Sequence, residues 1–555
     1  MAHYLITIPK ATNQSVSVTN TANDGELDSA TIWDLGHKTV ICWGDPASAA
    51  SDADIIADVS LNRSRSYWGR SWIVVDNDEQ TVQACTDRLG IFPVWVGEHQ
   101  HSTALYTSRQ ALSTFTQHQP KTSSAQRTLV AFGQLFDEQT LWEEIRCLNG
   151  DTNVNIDSEC INVESRQDTP ILGNDITRFD DALEAFVEAV REAFHCGSEP
   201  MVSLSGGLDS RLILSAATAL GKKPTTLTYG SPLSSDHQIA KTLAECAGLR
   251  LITGNEFATP TDPSTIQRVA DLGNGEVPLH HAHSILDSSL LAQTSGRMIL
   301  TGTGAEVARA FYYDRGFPGF SIFGQGMLGH TSLMERAKRY IREEYSKSAT
   351  PFFNYAPQYK EAMLSDLNRI IERYAHQFDT PARFLDNFYL QNRVVRFVAC
   401  GQQMLDSHYL RSHPFLNKDA LYQIAHLPVR YKLASRFHRK AIQKLSPKLA
   451  NIRWDKTDQP LSQGLPLSYR YPALTSRLGM ENWGKNSTPM YNYSELAKHL
   501  SRGTIERSLR QMNCLNNIKD DQTWQRVQQH LPTLGFSAVW SPSKPLTAIQ
   551  SITGA

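Results

Sequence analysis

The stretch that decides the fold is MVSLSGGLDSRLILSAATALG, residues 201–221. Its opening, Met201 to Leu204, reads as a buried strand, and its second half reads as a helix. The turn between them and its approach supply Ser203, Leu204, Ser205, Gly206, Gly207, Leu208, Asp209 and Ser210. Glycines let a chain turn tightly and bring successive N–H groups close to an anion. The helix that follows offers the positive end of its dipole to the same place. Ser205 and Ser210 add hydroxyl donors, and Asp209 can hold a magnesium ion that bridges phosphates. A bare Gly-Gly turn needs no ligand, but this six-residue string between a strand and a helix predicts a phosphate loop. It is not a Walker loop, because no GK[ST] follows.

Outward from this loop the pattern repeats. Residues 181–194 place apolar side chains at helical spacing, 224–230 and 250–255 read as strands, and 236–248 as a helix. RMILTGTGAE (297–306) is again a strand running into a glycine turn. Such alternation predicts a parallel sheet covered by helices, with the site at the carboxyl ends of its strands. Beyond residue 330 the periodicity is mostly helical, and the last 75 residues carry no readable motif. Residues 1–165 read as strands and turns: 71–76, 91–97 and 103–108 are β-rich, and 151–157 alternates like an exposed strand. Ser158 to Asp175, with Pro170 and Gly173, reads as a linker.

At 555 residues, with 41% hydrophobic and 20% charged residues, the chain has material for two or more full cores, since single cores rarely grow past roughly 250–300 residues. A net charge of −2 gives no basic field for nucleic acid. The start lacks the pattern of a signal peptide, and no run is long and apolar enough to cross a membrane. Eight scattered cysteines without a CxxC pair fit reduced thiols and a cytoplasmic location.

The SGGLDS string resembles the pyrophosphate-binding loop of enzymes that cleave ATP between the α and β phosphates, and the wider chain resembles the asparagine synthetase family. Thr301-Gly302-Thr303-Gly304-Ala305-Glu306 stands where that family has a string close to SGEGADE. The resemblance implies that Glu306 shares magnesium with Asp209, and that Gly302 and Gly304 lie at the nucleotide. It places Thr228, Tyr229 and Gly230 at the adenine. Asp236 and Ala240 match a family helix, and Arg411 with 413–417 looks like its R-x-PFLD segment. Residues 426–447 look like the basic region after it. Residues 68–96 and 140–157 are similar to class II glutamine amidotransferase domains. The implied architecture is an N-terminal αββα sandwich of Ntn type over 1–165, an ATP-binding α/β synthetase domain over 175–470, and a helical extension over 471–555.

Three departures qualify this picture. The second residue is Ala2, followed by His3, where the glutaminase nucleophile would be a cysteine, so glutamine is not expected as nitrogen donor. Thr303 replaces a glutamate that handles the amine proton, and a hydroxyl is a poor base. Ser435 stands in place of a lysine; of the nearby Lys432, Arg436, Arg439 and Lys440, we expect Arg439 and Lys440 to stabilise charge on pyrophosphate. Glu276, His280, His283 and Arg411 are candidate substrate contacts. The run His280-His281-Ala282-His283 lacks the further ligands of a zinc site. Tyr312 and Tyr313 could line an acceptor pocket or pack in a core, and Arg393, Arg396 and Arg411 could bind an anion or form ion pairs.

The expectation is therefore an ATP- and magnesium-dependent enzyme that adenylates a small-molecule or peptide carboxylate and passes the acyl group to an amine or ammonia. An intramolecular version would be similar to β-lactam synthetases or lasso-peptide cyclases acting with partner proteins of a biosynthetic pathway. Amidation of a sugar acid or other metabolite fits as well. A nucleotide-binding scaffold and a thiolating ATP pyrophosphatase are the rivals from other classes; the second lacks the reactive cysteines or basic surface it needs.

Overall fold

The computed structural model describes residues 3–10, 15–22, 27–48, 51–99, 101–116, 122–165, 176–196, 199–254, 272–277, 281, 288–312, 325–466, 469, 506, 509–518, 520–525 and 527. The N-terminal part is built from β1 (Tyr4–Pro9), β2 (Ser17–Asn20), β3 (Thr31–Asp34), β4 (Lys38–Gly44), β5 (Arg70–Asp76), β6 (Thr81–Cys85), β7 (Trp95–Glu98), β8 (Ser102–Tyr106), β9 (Ile145–Cys147), β10 (Thr152–Ile156) and β11 (Ile161–Ser165). They form two antiparallel sheets, in the orders β2-β1-β8-β7-β9 and β11-β10-β6-β5-β4-β3. Period-two alternation divides the inner strands of the second sheet. Ile41, Trp43, Ile73 and Val75 join the main core. Val40, Cys42, Trp72 and Val74 pack instead on Ile55 and Val59 of α1 (Asp52–Ser60). Two more helices, α2 (Arg109–Thr116) and α3 (Ser123–Phe132), complete this part.

Two readings of the sequence need correction here. The strand at 152–156 is not exposed: β10 is paired on both sides, with β6 and β11, and Thr152, Asn153 and Val154 are buried. The stretch after Ser158 is not all linker, because 161–165 form the edge strand β11. Pro170 and Gly173 lie outside the described residues.

The second part begins with α4 (Phe179–Ala193), which buries Ala182, Leu183, Phe186, Ala189 and Val190 along one face. Five short strands follow: β12 (Met201–Ser203), β13 (Thr226–Thr228), β14 (Leu251–Thr253), β15 (Met298–Leu300) and β16 (Leu410–Ser412). All pair in parallel, in the order β14-β13-β12-β15-β16. Helices α5 (Leu208–Ala219) and α6 (Ser235–Ala247) connect the first three. Parallel strands buried on both faces are apolar throughout, and Met201, Val202, Met298, Ile299 and Leu300 are fully enclosed. From β12 the chain builds outward to β14 and then crosses back to β15 on the other side of β12. This makes β12/β15 the topological switch point, where open sheets bind ligands beyond the carboxyl ends of their strands. Both glycine turns foreseen in the sequence follow these two strands. Helices then dominate from 325 to 450, as expected.

The two parts share one core cluster and are tied by polar contacts. Asp45 accepts from His413 N (2.9 Å) and Ser412 Oγ (3.2 Å). Of the C-terminal extension, Gln511 and Met512 receive hydrogen bonds from Ser123 and Arg127 of α3.

Candidate functional site

The loop between β12 and α5 is held in shape by its own side chains. Ser210 Oγ accepts from Ser205 N (3.1 Å), and Ser205 Oγ accepts from Gly207 N (3.2 Å). Gly206 N donates to Asp236 Oδ1 at 2.9 Å. A methyl group on Gly206 would stand 3.0 Å from Ile239 Cδ1 and 3.1 Å from Asp455 Cβ, so glycine is what lets α6 and the 455 segment close on the turn. Gly207 is the N-cap of α5 with no side chain to cap it, leaving the first N–H groups of the helix turned to the loop. Buried Arg211 fastens the arrangement from behind, donating to the carbonyls of Gly206 (3.3 Å), Ile452 (2.9 Å) and Arg453 (2.8 Å).

The second turn meets the first. A Cβ on Gly302 would fall 2.7 Å from Asp209 Cβ, and Gly304 holds φ +84° with Leu416 directly against it. The five-residue 3-10 turn Ala305–Arg309 then aims two side chains back at the loop. Arg309 Nη2 lies 3.0 Å from Asp209 Oδ2 and 3.1 Å from Glu306 Oε1, so one nitrogen bridges the two carboxylates. His438 Nε2 is 3.1 Å from Asp209 Oδ1, close but not aligned as a hydrogen bond; that buried oxygen has no hydrogen-bond partner in the protein. Burial opposes the charge of Asp209, but Arg309, His438 and Lys456 outweigh it and hold the carboxyl below its ordinary range. Burial lowers His438 despite the adjacent carboxylate, so its imidazole is neutral near pH 7. Asp209 and Glu306 are too few for a resident metal, and no cluster of three or more His, Cys, Asp or Glu suited to one occurs among the described residues. Two carboxylates do suit a magnesium ion that arrives carrying phosphate oxygens.

Residues 181–446 match the family described as Asparagine synthase. This part of the chain is similar to asparagine synthase domains. Such domains belong to ATP-dependent ligases that join a carboxylate to ammonia or an amine. No curated protein matches the chain.

Within the matched segment, Thr303 ends a one-way series of hydrogen bonds. Arg411 Nη1 lies 3.2 Å from His413 Nε2, and His413 Nδ1 is 2.7 Å from Thr301 Oγ1. Thr301 Oγ1 is 2.8 Å from Thr303 Oγ1, which donates to Gln402 Oε1 at 2.7 Å. A guanidinium only donates. His413 Nε2 therefore accepts, Nδ1 carries the proton, and each hydroxyl passes its own proton onward. Burial and Arg411 keep His413 well below its ordinary pKa, in line with a neutral ring. Thr303 thus has its proton committed to Gln402 and keeps a lone pair. It can accept a hydrogen bond from an amine but cannot act as the base.

Other expected residues are spread more widely. Thr228 ends the strand beside β12, and its buried hydroxyl has no partner in the protein; Tyr229 is buried next to it, and Gly230 has φ +78°. Arg411 is fully enclosed and engaged by both oxygens of Asp406, one contact being 2.9 Å. Glu276 is buried against Arg109 of the N-terminal part and accepts from Leu141 N. Both charges are taken up by protein partners, which is the ion-pair alternative for Arg411. His280 and His283 lie outside the described residues, as does Tyr313; His281 packs edge-on against Phe397, 4.0 Å between ring centres. Tyr312 sits in an aromatic cluster with Phe311, Phe388 and Tyr389. Arg396 donates to Gln139 O, and Arg393 lies over the Phe397 ring.

In the helix Arg436–Leu445, His438 points at Asp209, whereas Lys440 lies over the rings of Tyr431 and Phe179. Helix positions two apart diverge by about 200°, so Lys440 is directed away from the loop. Arg439 is partly exposed between them. Lys432 is buried on Asp386 at 2.6 Å. The cation in direct contact with Asp209 and Glu306 is Arg309, which the sequence reading missed; its only signal was a position three residues after Glu306, one helical turn away.

Proposed function

We propose that this chain is an AMP-forming amide synthetase that binds MgATP on Ser205–Ser210 and adenylates a substrate carboxylate. The observation that carries the reading is the meeting of Asp209 and Glu306 on one Arg309 nitrogen, beside an uncapped helix N-terminus at the sheet's switch point. The first N–H groups of α5 and the serine hydroxyls cradle the β and γ phosphates, and Thr228 Oγ1 is an available partner for the base. Asp209 and Glu306 would hold magnesium, which neutralises phosphate charge when bound. The substrate carboxylate attacks the α-phosphorus, pyrophosphate leaves, and the acyl carbon now carries AMP, a far better leaving group than oxide. An amine or ammonia then attacks, with Thr303 Oγ1 accepting one of its N–H bonds to position it. The proton is lost to solvent or to substrate.

We read the N-terminal part as an amidotransferase-like platform without glutaminase activity. Its described thiols favour this: Cys42, Cys85 and Cys147 are buried, burial raises Cys42 and Cys147 to about 11, and Cys160 lies out beside the edge strand β11. The bond formed can be within one substrate, as in a lactam, or between two. A nucleotide-binding scaffold is the second reading, favoured by Arg309 filling the gap between the carboxylates. Incubating the full chain with MgATP and a metabolite extract separates the two. Mass spectrometry should find AMP, pyrophosphate and a product one water lighter than its single precursor or than its two precursors combined. Nucleotide bound but never cleaved, across extracts and added amines, supports the scaffold.

A further inference from the structure

We infer that Arg309 is the pyrophosphate-binding cation of this site, parked between Asp209 and Glu306 until MgATP takes its place there. The inference rests on the reading above and assigns a role to a residue outside the expected set.

Three observations lead to it. Several expected cations are turned elsewhere: position 435 is a serine, Lys432 is engaged by Asp386, and Lys440 lies over Tyr431 and Phe179. Arg309 does stand at the loop, with one nitrogen in contact with both carboxylates. Its Nε is buried with no hydrogen-bond partner in the protein, as is Asp209 Oδ1. A buried guanidinium N–H and a buried carboxylate oxygen left unsatisfied within one ion pair are costly unless a ligand completes them. MgATP would complete both, since the metal suits the carboxylate oxygen and the phosphates suit the guanidinium fork.

The same geometry carries a competition. A divalent cation and the Arg309 guanidinium cannot both occupy the space between the two carboxylates. Free metal must displace Arg309 without offering it another anion, whereas metal on ATP brings phosphate oxygens to receive it. The site should therefore discriminate against bare metal.

The test uses the full chain, Arg309→Met and Arg309→Lys, with each fold checked by melting. Manganese alone is titrated by electron paramagnetic resonance, and magnesium α,β-methylene ATP by calorimetry. Relative to the starting protein, Arg309→Met should bind bare manganese at least about tenfold more tightly and the nucleotide analogue at least about tenfold more weakly. Arg309→Lys should recover part of the nucleotide affinity. Unchanged affinities for both ligands in Arg309→Met overturn the inference while leaving the ATP site standing. Failure of the starting protein to bind the analogue at all sinks the functional reading, and this inference with it.

Discussion

Replacing Asp406 by alanine should destabilise the second part of the chain more than any exposed ion pair could. Arg411 is the middle residue of β16 and its side chain has no exposure; Asp406 receives it through Nε and Nη2 and is itself only 5% exposed. Without Asp406 the guanidinium keeps His413 Nε2 as its hydrogen-bond partner, and a neutral ring nitrogen does not balance its charge. Breaking a buried pair from one side typically costs ~3–5 kcal/mol, against about 0–1 kcal/mol for an exposed pair. For a unit of about 270–300 residues that corresponds to a fall in Tm of roughly 5–9 °C. Differential scanning calorimetry of Asp406→Ala reads it, and Asp406→Leu with Arg411→Met serves as control. The double variant removes both charges and should recover most of the loss. A fall of under about 3 °C for Asp406→Ala, or a double variant no better than the single, would refute the argument that Arg411 is structurally committed.

Gly302→Ala puts a methyl group 2.7 Å from Asp209 Cβ, an overpacking cost of ~1–3 kcal/mol. Nucleotide affinity should drop with it, because the two turns must part; thermal melting and calorimetry check both. Glu276→Ala leaves Arg109 buried without its carboxylate and should lower stability by ~3–5 kcal/mol while leaving nucleotide affinity within about twofold; loss of substrate turnover at unchanged Tm would return Glu276 to the substrate site. His413 and His438 are held neutral in the fold, below their ordinary value of 6.5. As pH falls below about 6.5 the unfolded chain takes up protons that the folded chain does not. Stability should therefore be full above pH 6.5 and fall below it by up to ~1.4 kcal/mol per pH unit for each histidine. Denaturant midpoints at pH 7.5 and 5.5 measure this, and His413→Asn should flatten the trend.

What was legible in the sequence was what local chemistry dictates. A strand, two glycines and a helix over 201–221 leave little conformational choice, and the matching turn at 301–304 lies where neighbouring parallel strands bring it. The rest depended on long-range contacts. β16 has only three residues and carries a buried arginine, so Leu-Arg-Ser does not read as sheet; Asp406 makes it possible. Thr152 and Asn153 look like solvent-facing alternation, yet β10 is covered on both edges and Thr152 N donates to Thr86 Oγ1 at 2.9 Å. Glu276 sits in a stretch that suggested substrate, and its partner Arg109 is 167 residues away. The basic run 436–440 showed charge but not direction: helical rotation gives the loop to His438 and turns Lys440 aside. Arg309 was hidden because Ala-Glu-Val-Ala-Arg reads as an ordinary surface turn until the 3-10 geometry folds it onto Asp209.

The most direct check is a crystal structure of the chain grown with manganese and α,β-methylene ATP, with anomalous data collected at the manganese edge. A single strong peak is expected between the Asp209 and Glu306 carboxylates, with the phosphates along 205–210 and Arg309 moved onto a phosphate oxygen. A nucleotide bound elsewhere, or an anomalous peak remote from both carboxylates, would contradict that expectation.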